Sequence, residues 1–158
     1  MNLTKAALRD LVKQFAASAK KNVRKNGGVD PVAFFISAKI SESEGLVLDI
    51  TSEENAAKMR QLMREKVAAL HSVAVVAIVG GDMAIVESNE ETEASKVLAK
   101  YPRIKQFISV QASSPIANHE VLIEYSLKNK RIQIGEEYGV IAEDGGCEFT
   151  RDLWGPVN

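Results

Sequence analysis

The sequence predicts an α+β fold: a mainly antiparallel sheet of about five to seven strands, with two main helices, at about 4–26 and 52–70, packed on one of its faces. Strand-like runs follow one another in hairpin pairs and do not alternate with helices, which favours antiparallel pairing. Two segments repeat apolar residues every three or four positions, as amphipathic helices do. The length of 158 residues suits a single domain spanning 1–158.

The first helix is predicted over 4–26 and forms a basic amphipathic segment at 1–28. Asn2 or Thr4 can cap its first turn, and Gly27 supplies the left-handed residue at which helices commonly end. The apolar stripe of this helix comprises Leu8, Leu11, Val12, Phe15, Ala19 and Val23. We expect this stripe to pack on the sheet, with the basic side chains on the other side of the helix.

A hairpin and the second helix are predicted next. The β-rich runs at 31–40 and 46–50 flank a polar loop that ends in glycine, which is typical of two antiparallel strands. Thr51 and Glu54 have the spacing of a capping box, and the helix that they open should end near Leu70. The buried stripe of this helix comprises Met59, Leu62, Met63, Val67 and Leu70.

The run at 73–79 is rich in valine, bounded by glycine and too short for a helix. It is therefore predicted to be a central strand that is buried on both faces. A phosphate-binding loop would need a lysine and a hydroxyl residue after its last glycine, leading into a helix, whereas an aspartate and a methionine come next here. We predict a tight hairpin turn at Gly80, Gly81 and Asp82, followed by a strand at 83–87.

Residues 89–118 are predicted to form an irregular connection, with a short helix over 93–100, an extended segment over 104–110 and a loop over 111–118. The chain after this connection is predicted to be β structure. Apolar and polar residues alternate over 120–128, which is the period of a half-exposed strand. A turn at 128–130 then leads into a returning strand.

Charge is unevenly distributed along the chain. Residues 1–28 carry seven basic side chains and one acidic one, a net charge of +6 within a total of −1. A basic helix of this kind can bind nucleic acid, or it can lie on acidic surface of its own chain or of a neighbour. The candidate nucleic-acid-binding residues are Arg9, Lys13, Lys20, Lys21 and Arg24. Because the polar face has no aromatic residue for stacking and no helix-turn-helix partner follows, we do not favour nucleic-acid binding.

The chain offers few ligands for a metal ion or a cofactor. Its histidines and cysteine are His71, His119 and Cys147, and no two of them have the short spacing that builds a zinc site. Glutamates cluster at 90–93 and 136–137 beside turns, and no calcium-loop pattern is present. We therefore expect no metal and no cofactor.

An enzyme is the first alternative function. Cys147 could act as a nucleophile, with His119 as its base and either Glu120 or Asp144 orienting the imidazole. Nothing in the sequence places these residues together. Cys147 also lies in an alternating run with Phe149, where a buried cysteine is the common outcome. Catalysis by His119, Glu120 and Cys147 is therefore an alternative and not the favoured function.

The favoured function is that of a small cytoplasmic binding or structural module that is not an enzyme and that self-associates. A single cysteine allows no internal disulfide, and no apolar run approaches the ~20 residues of a membrane span, so we expect a cytoplasmic protein without a membrane partner. Hairpins leave strand edges that a second copy can cover, and Trp154 is an aromatic residue of the kind that interfaces favour. A homodimer is the expected assembly, with nucleic acid as an alternative partner.

Overall fold

The computed structural model describes residues 3–84, 104–140, 150 and 152–154. It contains two α-helices and a six-stranded sheet in which all neighbouring strands are antiparallel. The predicted α+β fold and the predicted number of strands are therefore confirmed.

The strands lie side by side in the order β2-β1-β3-β4-β5-β6. The helices are α1 (Lys5–Asn26) and α2 (Glu53–Ala69), and the strands are β1 (Val32–Ser37), β2 (Glu44–Val47), β3 (Ser72–Ala84), β4 (Ile104–Ser114), β5 (Ala117–Lys128) and β6 (Arg131–Val140). The first hairpin, β1–β2, forms one end of the sheet. The chain then passes through α2 into β3, which pairs with β1 on the edge opposite β2.

α1 begins and ends where the sequence predicts, because both of its ends are capped as expected. The Thr4 hydroxyl accepts a hydrogen bond from the backbone amide of Ala7 at 3.1 Å. Gly27 has a φ of 78° and donates its backbone N–H to the carbonyl of Val23 at 2.8 Å. Glycine adopts this left-handed conformation without steric cost, which stops the helix there.

α2 is capped by Ser52 and not by Thr51, so the predicted capping box is wrong. The Ser52 hydroxyl accepts from the backbone amide of Asn55 at 3.1 Å. The Thr51 hydroxyl instead donates to the carboxylate of Asp49 at 2.7 Å. Either hydroxyl could have capped the helix, and the nearby carboxylate draws Thr51 into a different hydrogen bond.

The two helices lie on opposite faces of the sheet, so the prediction that they share one face is wrong. Successive side chains of a strand point to opposite faces. In β3, Ala74 and Val76 pack in the apolar cluster that contains α1, whereas Val75 packs in the cluster that contains α2. A strand that is apolar on both faces needs a covering layer on each, and the two helices supply these layers separately.

β3 is central and buried, as predicted, but it makes no turn at the glycine pair. Gly80 and Gly81 continue the strand and pair with Ile108 and Phe107 of β4. A Cβ atom at Gly80 would lie 3.1 Å from Cγ2 of Val29, so this glycine permits close packing rather than a reversal of the chain. The stretch is therefore neither a hairpin nor a phosphate loop, and residues 85–87 of the predicted next strand lie outside the described residues.

β4 occupies part of the predicted irregular connection. Residues 111–114 are buried in this strand, and the chain reverses only at 115–116, so the predicted loop over 111–118 is wrong. Polar side chains suggested a loop, but in the sheet they bond to one another: Ser113 donates to Asn118 across the β4–β5 pair. Residues 89–103, with the predicted short helix, lie outside the described residues.

The β5–β6 hairpin has the predicted turn. Asn129 and Lys130 have φ values of 53° and 62°, and Lys128 pairs with Arg131. Two successive left-handed residues are the signature of the tight turn that best matches the twist of a hairpin. Local turn chemistry therefore sets the register of the last two strands.

Candidate functional site

α1 leaves part of its own face of the sheet uncovered. It contacts β3, β4, β5 and β6. A helix is about 10 Å wide and strands lie about 4.8 Å apart, so one helix cannot cover six strands. The result is a groove between α1 and the β1–β2 hairpin, which we call the α1 groove.

The half of the α1 groove nearest the start of the helix is apolar. This apolar half has a volume of about 690 Å³, with α1 as its wall and β1 as its floor. Its principal apolar lining consists of Leu3, Ala7, Leu11, Phe15, Phe34 and Ile36. All six side chains are partly buried, so they belong neither to the fully enclosed core nor to the open surface.

Two aromatic rings stand at the middle of the groove. The rings of Phe15 and Phe34 have centroids 5.0 Å apart and are tilted by 41°. Gly45 of β2 pairs with Phe34, and a Cβ atom there would lie 3.3 Å from Cε1 of the Phe34 ring. Because this is tighter than an ordinary carbon contact, a side chain at position 45 would crowd the ring, and Gly45 leaves room for it.

The other half of the α1 groove is more polar. This polar half has a volume of about 510 Å³ and shares Phe15 and Phe34 with the apolar half. Its polar lining includes Ser18, Asn22, Asn26 and Asp30. The three helical positions are four residues apart and so lie along one side of α1. Across the groove, Val32 and Val47 add apolar surface, and Val47 is 72% exposed.

The basic side of α1 is directed toward β5 and β6. Arg9 Nε donates to His119 Nε2 at 3.2 Å, and Lys20 Nζ donates to Glu137 Oε2 at 3.3 Å. At these two points the basic helix lies on polar and acidic surface of its own chain. The other candidate nucleic-acid-binding residues, Lys13, Lys21 and Arg24, are exposed. Nucleic-acid binding by these residues stays a prediction.

The structure does not bring the candidate catalytic residues His119 and Glu120 together. They are neighbours in β5, so their side chains point to opposite faces of the sheet. His119 faces α1, where burial lowers its pKa and the guanidinium of Arg9 lowers it further. Glu120 accepts a hydrogen bond from the Ser109 hydroxyl at 3.0 Å. Cys147 lies outside the described residues, so a role for it stays a prediction.

Metal-binding groups are not assembled in the part of the chain that the structure describes. There, no three histidine, cysteine, aspartate or glutamate side chains are grouped so that they could hold a metal ion. His71 follows the end of α2 with a left-handed φ of 48° and is exposed.

Trp154 is engaged with its own chain on the face that α2 covers. Its indole Nε1–H donates to the Ser113 hydroxyl at 2.8 Å. The preceding Leu153 is 1% exposed and packs in the cluster that contains α2. The tryptophan that the sequence suggested as an interface anchor therefore helps to attach the C-terminal residues to the sheet.

Sequence reasoning missed the α1 groove because distant segments form it, although one signal was present. The predicted apolar stripe of α1 included Leu11 and Phe15 as well as four of the five α1 residues that are buried in the structure, all but Ala16. A stripe this wide exceeds what a single sheet contact needs. Leu11 and Phe15 turn out to be the helical wall of the groove.

No helix in the described ranges is long and apolar enough to cross a membrane. No family model, no curated protein and no solved structure matches the chain.

Proposed function

We propose that this protein is a binding protein without enzymatic activity, and that its ligand is a small, largely apolar molecule held in the α1 groove. The observation that carries this proposal is the apolar half, a cleft of about 690 Å³ lined mainly by partly buried apolar side chains. Ligand sites in proteins are commonly clefts of about 300–1,000 Å³ with mainly apolar walls and a few polar groups.

The shape of the α1 groove favours a small molecule as the ligand and not a protein partner. Large apolar patches on a protein commonly mark binding sites. Interfaces between proteins bury roughly 800 Å² on each partner and need a broad contact. Here the apolar side chains instead converge on a concave space between one helix and one hairpin, and the contacting rings of Phe15 and Phe34 form part of its lining. A molecule that fits between the walls can contact both at once.

The experiment fills the groove with one side chain and measures the affinity for an apolar ligand. Ala7 lines the apolar half, whereas its neighbour Ala6 is exposed and is not part of the lining. We expect the full chain to bind dodecanol in isothermal titration calorimetry. Ala7→Trp should weaken this binding at least tenfold, and the matched control Ala6→Trp should leave it unchanged. Absence of binding by the native protein, or an equal effect of the two substitutions, would refute the proposal.

We also propose that the chain self-associates through a sheet edge, as a dimer in the cytoplasm. Among the described strands, β2 and β6 end the sheet, and β6 runs for ten residues. A long unpaired strand edge presents backbone groups that a second strand can pair with. The single cysteine supports a reducing compartment. Native mass spectrometry should show a dimer at micromolar concentration, and a monomer over the whole range would refute self-association.

A further inference from the structure

We infer that one end of this protein binds the surface of an anionic membrane, through basic side chains that surround the exposed Leu127. We call this surface the basic end. Two separate segments form it: the last two turns of α1 and the turn between β5 and β6. The inference does not depend on the α1 groove. The six basic side chains of the basic end are all exposed, and they are Lys21, Arg24, Lys25, Lys128, Lys130 and Arg131.

The two segments of the basic end lie at the same end of the molecule. Arg9 contacts His119 near the start of β5. Lys20 contacts Glu137, which pairs with Ile123 in the middle of β5. α1 therefore runs in the same direction as β5. Beyond these contacts the helix advances ~9 Å to its last residue, and β5 advances ~17 Å to its own. The end of α1 thus stops roughly 8 Å short of the β5–β6 turn, measured along the strands.

Positive charge dominates the basic end. Residues 20–27 and 126–134 contain no acidic side chain. Asp30 and Asp82 are exposed toward the same end of the sheet, where β1 begins and β3 ends, but two carboxylates do not balance six cations. Anionic lipids attract basic groups that lie within a Debye length of the bilayer, about 8–10 Å. Because a distance of this order separates the two segments, a flat bilayer can attract both at once.

An exposed leucine lies among these cations. Leu127 is 67% exposed, and it is adjacent to the pair of Lys128 and Arg131 that closes the turn. Proteins that lie on a membrane bury apolar side chains at the boundary between headgroups and acyl chains, while their basic groups bind the anionic headgroups. A nucleic-acid backbone offers Leu127 no such environment, and the basic end has no aromatic side chain on which bases could stack.

Binding at the surface of a membrane revises one expectation from the sequence. A membrane partner was not expected, because no apolar run is long enough to span a bilayer. Attachment through basic groups and one shallow apolar side chain requires no spanning segment. The uneven distribution of charge along the chain therefore has a structural counterpart, since the basic helix ends beside a second basic segment.

The first experiment measures binding of the full chain to sedimented lipid vesicles. One set of vesicles contains phosphatidylcholine alone, and the other contains one third phosphatidylserine by mole. We expect the chain to bind the phosphatidylserine vesicles at low salt, to dissociate from them as the salt concentration rises, and not to bind the neutral vesicles. No preference for the phosphatidylserine vesicles, including no binding at all, would overturn the inference.

Two double variants with the same change in charge locate the binding surface. Lys128→Gln with Arg131→Gln removes two cations from the basic end. Lys5→Gln with Lys39→Gln removes two exposed cations from the opposite end, where α1 begins and β1 ends. Each basic residue near an anionic bilayer contributes roughly fivefold to the affinity. The first double variant should therefore bind phosphatidylserine vesicles about twentyfold more weakly, and the second should bind nearly as the native chain does. Equal weakening by the two would overturn the inference.

A third variant and a second polyanion separate a membrane from nucleic acid. Leu127→Ser keeps the charge and should weaken vesicle binding roughly threefold or more, because it removes the apolar group that enters the bilayer; unchanged affinity would contradict the inference. A short DNA duplex is titrated in parallel and followed by fluorescence anisotropy. If the duplex binds more tightly than the phosphatidylserine vesicles, the basic end is a nucleic-acid surface and the inference is wrong. Circular dichroism verifies that each variant is folded.

Discussion

Two adjacent phenylalanines in β1 should respond differently to truncation, because they lie on opposite faces of the sheet. Phe35 is 0% exposed and packs in the cluster that contains α2. Phe34 is only partly buried and forms the floor of the α1 groove. Replacing a fully buried phenylalanine with alanine typically costs about 3–5 kcal/mol. We therefore expect Phe35→Ala to lower the free energy of unfolding by about 4 kcal/mol, a large part of the total stability of a domain of this size.

The expected cost of Phe34→Ala is smaller and can be worked from its contacts. The groove already leaves part of this ring open, so only a fraction of the ~1.5–3 kcal/mol for burying an apolar side chain is lost. The ring pair with Phe15, at a centroid separation of 5.0 Å, adds about 0.5–1.5 kcal/mol. The total for Phe34→Ala is thus about 1–2 kcal/mol.

Urea unfolding followed by circular dichroism measures both costs, and calorimetry with dodecanol measures ligand affinity. Phe34→Ala should weaken dodecanol binding at least tenfold while the protein stays folded. If Phe34→Ala destabilises the protein as much as Phe35→Ala, then Phe34 is a core residue and the groove is not a preformed site. Unchanged affinity in Phe34→Ala would equally refute the reasoning.

Three further predictions concern individual groups. Burial and the guanidinium of Arg9 lower the pKa of His119. This histidine therefore contributes stability that is present above its ordinary pKa of about 6.5 and is lost as the pH falls through the lower folded value. Arg9→Gln should raise the pKa of His119 part of the way back in an NMR titration, and an unchanged pKa would contradict this. Ser52→Ala should lower the free energy of unfolding in urea by about 1 kcal/mol through loss of the α2 cap, and no change would mean that Ser52 is not the cap. The pKa of Tyr138 is raised to about 12, chiefly by the hydrogen bond from its hydroxyl to Glu136. Glu136→Gln should therefore lower the pH at which Tyr138 ionises in an absorbance titration, and Tyr138→Phe identifies which signal belongs to this residue. An ionisation midpoint that stays near pH 12 would count against that bond.

Local signals in the sequence were sufficient where a few neighbouring residues determine the structure. Thr4 and Gly27 mark the ends of α1 because capping depends on residues within one turn. Asn129 and Lys130 mark the last turn for the same reason, since two adjacent φ angles define it. Predictions of this kind require no knowledge of the rest of the fold.

Signals that depend on distant residues misled the sequence analysis. A glycine pair after an apolar run can make a turn or can admit a close neighbour, and only the approach of Val29, from another part of the chain, decides the role of Gly80. One error was avoidable: a strand predicted to be buried on both faces already required a covering layer on each. Placing both helices on one face was inconsistent with the continuous apolar run at 73–79.

The α1 groove could not be predicted for the same reason, because residues that are distant in the sequence form it. Leu11 and Phe15 could be placed on an apolar stripe from their spacing, but their partner Phe34 is in a different element. The fold therefore had to be known before the wall, floor and volume of the cleft could be described. The polar half was harder still, because Asn22 and Asn26 resemble ordinary exposed helix residues until they are seen beside β1.

The most direct test of ligand binding in the α1 groove is a map of backbone amide shifts. Dodecanol is titrated into the isotope-labelled full chain, and binding is followed by two-dimensional NMR. The account predicts that the largest shift changes fall on α1, β1 and β2, beginning with Leu11, Phe15 and Phe34. Changes concentrated on α2, or no saturable change at all, would contradict it.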